Sequence, residues 1–235
     1  MGDPAGYLPQ APGSQPPLNS PAYGSTRHRH PQQAPIRIGT TLSESAAPRM
    51  TPAAYPAQAD LSVHNGKPAQ GERIIVAGRV LDENARPVPN AMVEVWQACS
   101  TGRYPHGNDQ HNAPLDPNFA GHGRVFTDAE GWYRYTTIKP GAYPWRNHAN
   151  AWRPNHIHYS LFGQGFAQRL VTQMYFPGDP LLALDPVFLA TPDPAARDRL
   201  VAQFDLAITQ PEWALGYRFD IVLRGRNATP MENPA

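Results

Sequence analysis

Proline constrains this chain more than any other residue. It occurs 28 times in 235 residues, more than twice the usual share of about 5%. Twelve prolines precede residue 71 and sixteen follow it, so neither half escapes. An interior proline removes a backbone donor and clashes with the preceding turn. Long continuous helices are therefore excluded. What remains is short strands joined by turns, or an extended arm.

Both are present. Residues 1–70 keep no sustained period of two or of 3.6 and read as a proline-rich N-terminal arm. Residues 1–20 are predicted to be a disordered tail. The remainder is predicted to wrap a partner, with Tyr23, Ile36, Ile38, Leu42 and Tyr55 as anchors. The character changes at Gly71, and residues 71–235 are predicted to form one domain. RIIVAGRVL (73–81) places Ile74, Val76 and Val80 on one face at period two, as in a half-buried strand. AMVEVWQA (91–98), HIHYSLFG (156–163), QRLVTQMYF (168–176) and GYRFDIVLRG (216–225) read as further strands. RVFTD (124–128) and WYRYTTI (132–138), joined at Glu130-Gly131, read as a hairpin. Only DPAARDRLVAQF (193–204) reads as helical, with Asp193 as N-cap and Pro194 at the first helical position. Seven short strands between Pro/Gly turns predict an all-β fold. Its core is a β-sandwich of mixed or antiparallel strands, with a long irregular N-terminal arm and one or two short helices.

Charge narrows the partners. Twenty basic and nineteen acidic residues leave +1, which gives no surface for nucleic acid or anionic membrane. No apolar run approaches the ~18 residues of a spanning helix. The first residues, MGDPAGYLPQAPGSQPP, carry no basic start and no apolar stretch, so a cytoplasmic location is expected. Cys99 is the one cysteine, which excludes an internal disulfide or a CxxC metal site and reads as a packed small residue.

The chemistry is concentrated in RPNHIH (153–158). Pro154 favours an extended neighbour. On a strand His156 and His158 share one face while Ile157 and Tyr159 share the other. Such a pair is either two surface histidines or two ligands of one metal ion. Carboxylates are distant in sequence: Glu130 is the nearest upstream and Asp179 the nearest downstream. That counts against a two-His-one-carboxylate ferrous site. Tyrosines stand in loop contexts instead, Tyr104 in GRYPH and Tyr143 in PGAYPWRN. Each is either a core or turn residue or a donor. A phenol binds as phenolate only where a strong Lewis acid offsets the lost proton, and Fe(III) meets that need. His28 and His30 repeat the spacing, but lie in the arm between arginines and read as solvated or partner-facing. His106, His111, His122 and His148 are loop histidines that no spacing argument selects.

Seven segments carry a resemblance: GERIIVAGRV (71–80), PVPNAMVEVWQA (87–98), GRYPH (102–106), APLDPNFAGHGR (113–124), TIKPGAYPWRN (137–147), WRPNHIHYS (152–160) and YRFDIVLRG (217–225). In order and spacing they resemble the intradiol ring-cleavage dioxygenases, and within that family the branch of protocatechuate 3,4-dioxygenase β subunits. PAYGSTRHRHPQQAPI (21–36) resembles the N-terminal arm of that branch more loosely. The resemblance implies a non-haem Fe(III) held by Tyr104, Tyr143, His156 and His158, with a solvent hydroxide as fifth ligand. It implies that Tyr143 leaves when substrate chelates and acts as an internal base. It makes Arg153 a guanidinium beside the reacting ring and places Gln173 on the O2 side. Trp145 and Val187 would pack the ring, and Tyr23 and Arg29 would hold the substrate carboxylate. The implied reaction is cleavage of 3,4-dihydroxybenzoate by O2 to 3-carboxy-cis,cis-muconate, in aromatic catabolism through the β-ketoadipate pathway. The implied partner is an α subunit of the same fold. Two alternatives stand beside it: the same cleavage of catechol or hydroxyquinol, and a non-catalytic β-sandwich binding module.

Overall fold

A computed structural model of the chain describes residues 10–36, 50–145, 152–162 and 169–232. In chain order the strands are β1 (Val63–His64), β2 (Lys67–Pro68), β3 (Arg73–Leu81), β4 (Met92–Trp96), β5 (His122–Phe126), β6 (Trp132–Ile138) and β7 (Tyr143–Pro144). They continue as β8 (Trp152–Arg153), β9 (His156–Phe162), β10 (Arg169–Tyr175), β11 (Gln203–Phe204), β12 (Leu215–Arg218) and β13 (Ile221–Val222). The helices are short: α1 (Thr26–Arg29), α2 (Pro186–Leu189), α3 (Pro194–Asp198), and a 3-10 turn at Pro180–Leu184. One sheet runs β10-β9-β4-β5, all antiparallel. The other is mixed: β3 pairs antiparallel with β6 and parallel with β12 and β13, and β11 lies on the far side of β12.

One apolar core joins the two sheets. Val93, Val95, Ile157, Tyr159, Leu161 and Met174 come from the first; Ile74, Val76, Val80, Tyr133, Tyr135 and Ile221 come from the second. The period-two face expected of β3 is the one that enters this core. Ile75 is fully buried as well, because β3 is central in its sheet and covered on both faces. The sandwich expected from the strand pattern is the observed fold.

Three local expectations are corrected. Residues 124–138 do not form a hairpin, since β5 pairs with β4 and β6 pairs with β3 in the opposite sheet. Gly131 does turn the chain, with φ 78°. Asp128 Oδ1, however, takes the Glu130 and Trp132 amides at 3.0 and 2.8 Å. This side-chain turn aims β6 across the sandwich. Residues 216–225 split into β12 and β13 around Phe219-Asp220. The Phe219 amide still bonds Ala77 O at 2.9 Å, and the Phe219 carbonyl accepts from Tyr133 Oη at 2.6 Å. A Cβ at Gly78 would lie 1.8 Å from that carbonyl, so only glycine admits the crossing. The helix expected over 193–204 ends at Asp198, after which β11 pairs with β12. Its predicted start is observed: Asp193 accepts from Ala195 N, with Pro194 next. Asp179-Pro180 and Asp185-Pro186 repeat the same cap, which is how the chain makes more short helices than expected.

Parts of the N-terminal segment pack on the sandwich, while residues 31–36 and 51–60 are exposed. Ser14 is buried, and Gly13 O accepts from Asp193 N at 3.0 Å. Tyr23 is buried, Tyr55 is exposed, and Ile36 is 88% exposed; Ile38 and Leu42 lie outside the described residues. Asn65 and Gly66, with φ of 53° and 73°, make the tight turn between β1 and β2. Leu61 belongs to the main core. Among the described residues, no helix is long and apolar enough to cross a membrane.

Candidate metal centre

Strand β9 supplies the two histidines on one face, while Ile157 and Tyr159 are fully buried on the other. The neighbouring strand matches them: Gln173 is opposite His158 and Tyr175 is opposite His156. On the other side Trp96 is opposite His158 and stacks on its ring, with centroids 4.9 Å apart at 4°.

Both imidazoles are oriented from behind. His156 Nδ1 is 2.7 Å from Pro154 O, and a carbonyl only accepts, so the proton is on Nδ1. His158 Nδ1 is 3.2 Å from Glu232 Oε2. Burial alone would raise the Glu232 carboxyl, but His158, Gln173 and Arg153 bring it below the usual range. It is therefore a carboxylate, and accepts. His156 Nε2 thus presents a lone pair, and His158 Nε2 faces it at 3.2 Å. Burial, then Arg153 and His158, hold the His156 ring well below its ordinary pKa, so His156 Nε2 carries no proton of its own.

Two loops bring the phenols. The first is tied by Cys99 N to Arg103 O at 2.8 Å and by Tyr104 N to Asp109 Oδ2 at 2.6 Å. It packs backbone to backbone on the second loop. A Cβ at Gly102, where φ is 79°, would lie 2.1 Å from Ala142 O. Tyr143 opens β7 and pairs with Arg153 of β8. Its hydroxyl is 3.2 Å from His156 Nε2, and its ring meets Tyr104 edge-on at 5.4 Å. The Tyr104 hydroxyl is buried and has no hydrogen-bond partner among the described residues. Burial raises both phenols, joined at Tyr104 by its neighbour Tyr143 and opposed at Tyr143 by Arg153.

Arg153 ties the halves together. Its Nε and Nη2 grip Asp185 at 3.0 and 2.8 Å, and Nη2 also reaches Gln173 Oε1 at 2.7 Å and Tyr175 Oη at 3.0 Å. Nη1 is 3.3 Å from His156 Nε2, and the guanidinium lies over the Trp145 ring at 5.3 Å. Asp185, fully buried, caps α2 through Phe188 N. Trp145 meets Tyr23 edge-on at 5.2 Å, and Tyr23 Oη accepts from Arg29 Nη2 at 3.0 Å. The arm pair is thus contiguous with the site. Val187 is buried in α2, two residues from Asp185.

Tyr104, Tyr143, His156, His158, Arg153, Gln173, Trp145, Tyr23 and Arg29 therefore form one connected set, whereas Val187 is placed near it only by its helix. Asp185, Tyr175, Trp96 and Glu232 join them unforeseen. Gln173 and Tyr175 alternate on a strand as the histidines do, so Tyr175 was findable. Nothing in the sequence joins Glu232 to His158 across 74 positions. Of the loop histidines, His111 meets Trp152 edge-on at 6.0 Å, and His148 lies outside the described residues.

The donors suit a ferric ion. The donors are close enough to share one ion: the two Nε2 atoms are 3.2 Å apart, as are Tyr143 Oη and His156 Nε2. The unpartnered Tyr104 hydroxyl also lacks what a cation would supply. Among the described residues no group of three His, Cys, Asp or Glu side chains could hold a metal; the phenols of Tyr104 and Tyr143 are the oxygen donors beside the two imidazoles.

A dioxygenase family model matches residues 46–225, and one for the N-terminal region of protocatechuate 3,4-dioxygenase β subunits matches residues 8–41. The protocatechuate 3,4-dioxygenase β chain of Burkholderia cepacia is 60% identical over 223 residues, covering 93% of this chain and 94% of that one. The α chain of the Pseudomonas putida enzyme is 34% identical over 164 residues, covering 68% and 76%. The solved hydroxyquinol 1,2-dioxygenase of Pseudomonas putida DLL-E4 shares the fold, with a TM-score of 0.55 at 22% identity over 91% of this chain and 73% of that one. The chain belongs to the intradiol ring-cleavage dioxygenase family, as an enzyme similar over nearly its whole length to a protocatechuate 3,4-dioxygenase β chain.

Proposed function

We propose that this chain is the iron-bearing subunit of an enzyme that opens 3,4-dihydroxybenzoate with O2 to give 3-carboxy-cis,cis-muconate, a step of the β-ketoadipate pathway in aromatic catabolism. Tyr104, Tyr143, His156 and His158 would hold a non-haem Fe(III). The observation that carries the reading is the approach of the two imidazole Nε2 atoms to 3.2 Å beside two phenols. A cation at that point would find its nitrogen and oxygen donors already gathered. When bound, the ferric ion supplies the charge that lets buried phenols ionise and makes a chelated diol reactive towards O2.

The remaining chemistry is assigned to the chain's own groups. Tyr143 Oη, freed as phenolate, is the base that takes one diol proton. It sits on the two-residue strand β7, outside the long strands of the sandwich. Arg153 keeps its charge at every working pH and stabilises negative charge developing on the ring being cleaved. Gln173 orients that guanidinium through Oε1. Trp145 and Val187 enclose the aromatic ring. Arg29 and Tyr23 receive the ring carboxylate, the guanidinium supplying charge and the phenol a donor. An α subunit of the same fold would complete the pocket; the similarity to both α and β chains supports this. The buried free thiol of Cys99 suits a reducing cytoplasm.

The test is the purified chain, alone and coexpressed with an α-type partner. Expected are about one iron per chain, a visible phenolate-to-iron absorption, and oxygen uptake fastest with 3,4-dihydroxybenzoate. Faster uptake with catechol or hydroxyquinol would replace the substrate. A colourless protein without iron would overturn the reading.

A further inference from the structure

The C-terminal segment does more than close the sandwich. Val222 N bonds Thr229 Oγ1 at 3.0 Å, and Thr229 N returns to Val222 O at 2.9 Å. Pro230 O accepts from Thr172 Oγ1 at 2.7 Å, and Glu232 N bonds Val171 O at 2.8 Å. The N-terminal arm adds a clamp: Gln15 Oε1 accepts from Met231 N at 2.8 Å, and Gln15 Nε2 reaches Thr229 O at 3.4 Å. This places the Glu232 carboxylate on His158 Nδ1 at 3.2 Å. Trp96 covers one face of the same ring, but stacking does not select which nitrogen carries the proton.

We propose that Glu232, carried on a tail held by strand β10 and by Gln15 of the arm, is a positioning residue that fixes the proton of His158 on Nδ1 and turns Nε2 towards the other three donors. The inference rests on the ferric reading above, since it says how one ligand of that ion is oriented. A carboxylate behind a ligating imidazole both selects the tautomer and raises the basicity of the ligating nitrogen. His156 gets its orientation from a neutral carbonyl two residues away. His158 depends on a charged group from the far end of the chain. The two imidazoles are thus oriented by unlike groups, and the orientation of His158 depends on the contact between Gln15 and residues 229–232.

The variants E232A, E232Q and Q15A test this in the full chain loaded with iron. E232A is expected to release iron to a chelator about tenfold faster and to shift the visible band, a change that mere loss of stability would not give. E232Q keeps an acceptor oxygen without the charge and should fall between E232A and wild type. Q15A should move both readouts in the same direction by less, and the double variant Q15A/E232A should be no worse than E232A. Nitrogen NMR of the metal-free chain gives a second readout: one His158 tautomer in wild type, two in E232A. A coloured wild type whose E232A variant keeps its band, its release rate and a single tautomer would overturn the inference while leaving the ferric reading intact. Additive losses in the double variant would remove Gln15 from it. A wild type that takes up no iron would overturn both.

Discussion

The four donors come from two unlike kinds of structure. His156 and His158 sit on a seven-residue strand bonded on both sides, by β4 and β10, with its opposite face in the main core. Tyr104 lies in a loop without regular structure, and Tyr143 on a two-residue strand whose one partner, β8, is equally short. A strand in a core cannot move one side chain without its neighbours. A loop side chain is not coupled to a ladder of strand hydrogen bonds and can move with less disturbance. The division matches the roles proposed: the imidazoles stay, and one phenol must be able to leave. Arg153 joins the two kinds of structure, with its backbone against Tyr143 and its guanidinium against His156.

The sharpest way to break this arrangement is to disconnect that link. Asp185→Asn keeps an acceptor for the α2 cap but leaves Arg153 as a buried charge without its carboxylate. Removing one member of a buried pair destabilises by about 3–5 kcal/mol, so denaturant unfolding should show a loss of that size together with a fall in turnover. A loss under about 1 kcal/mol would mean that Gln173 and Tyr175 hold the guanidinium unaided.

A smaller change strikes the loops alone. Gly102→Ala puts a Cβ against Ala142 O in a backbone with φ 79°, which costs about 1–3 kcal/mol of local strain. The Tyr104 and Tyr143 loops should separate while β9 keeps its register, so the visible band should shift more than the amide exchange of the β9 strand. Equal exposure of β9 would show that the two halves are one cooperative unit after all.

How much of this was legible in the sequence follows the same division. Strands β3 and β6 are found at their expected bounds, because apolar side chains at period two leave a local record of the buried face. His156 and His158 were legible as a pair for the same reason. The crossing from β5 to β6 was not, since a turn at Glu130-Gly131 says that the chain reverses but not which sheet receives it. The turn at Asn65-Gly66 had its usual signal, yet sat within a segment read as a structureless arm. Tyr104 and Tyr143 follow no period, and it was the family resemblance that joined them to the histidines. Asp185 and Glu232 were least legible: a lone carboxylate finds its cation by tertiary folding, and sequence distance carries no information about that meeting. The same blindness made the neighbourhood of the histidines look poor in carboxylates.

The finest comparison lies within the loop half, between its two phenols in the metal-free chain. The Tyr143 hydroxyl donates to His156 Nε2, so Tyr143→Phe removes a bond and should lower stability by about 0.5–1.5 kcal/mol. The Tyr104 hydroxyl is buried and makes no close hydrogen bond, so Tyr104→Phe should cost less stability than Tyr143→Phe. Iron should invert the order. With metal supplied, Tyr104→Phe loses a ligand that has no other task and should bind iron poorly. Tyr143→Phe should keep most of its iron but chelate the diol slowly, because the leaving base is gone. Thermal unfolding with and without iron, together with stopped-flow mixing with substrate, separates the two. If both variants destabilise the metal-free chain alike, the Tyr104 hydroxyl has a partner there, and the case for a cation at that oxygen loses its structural support.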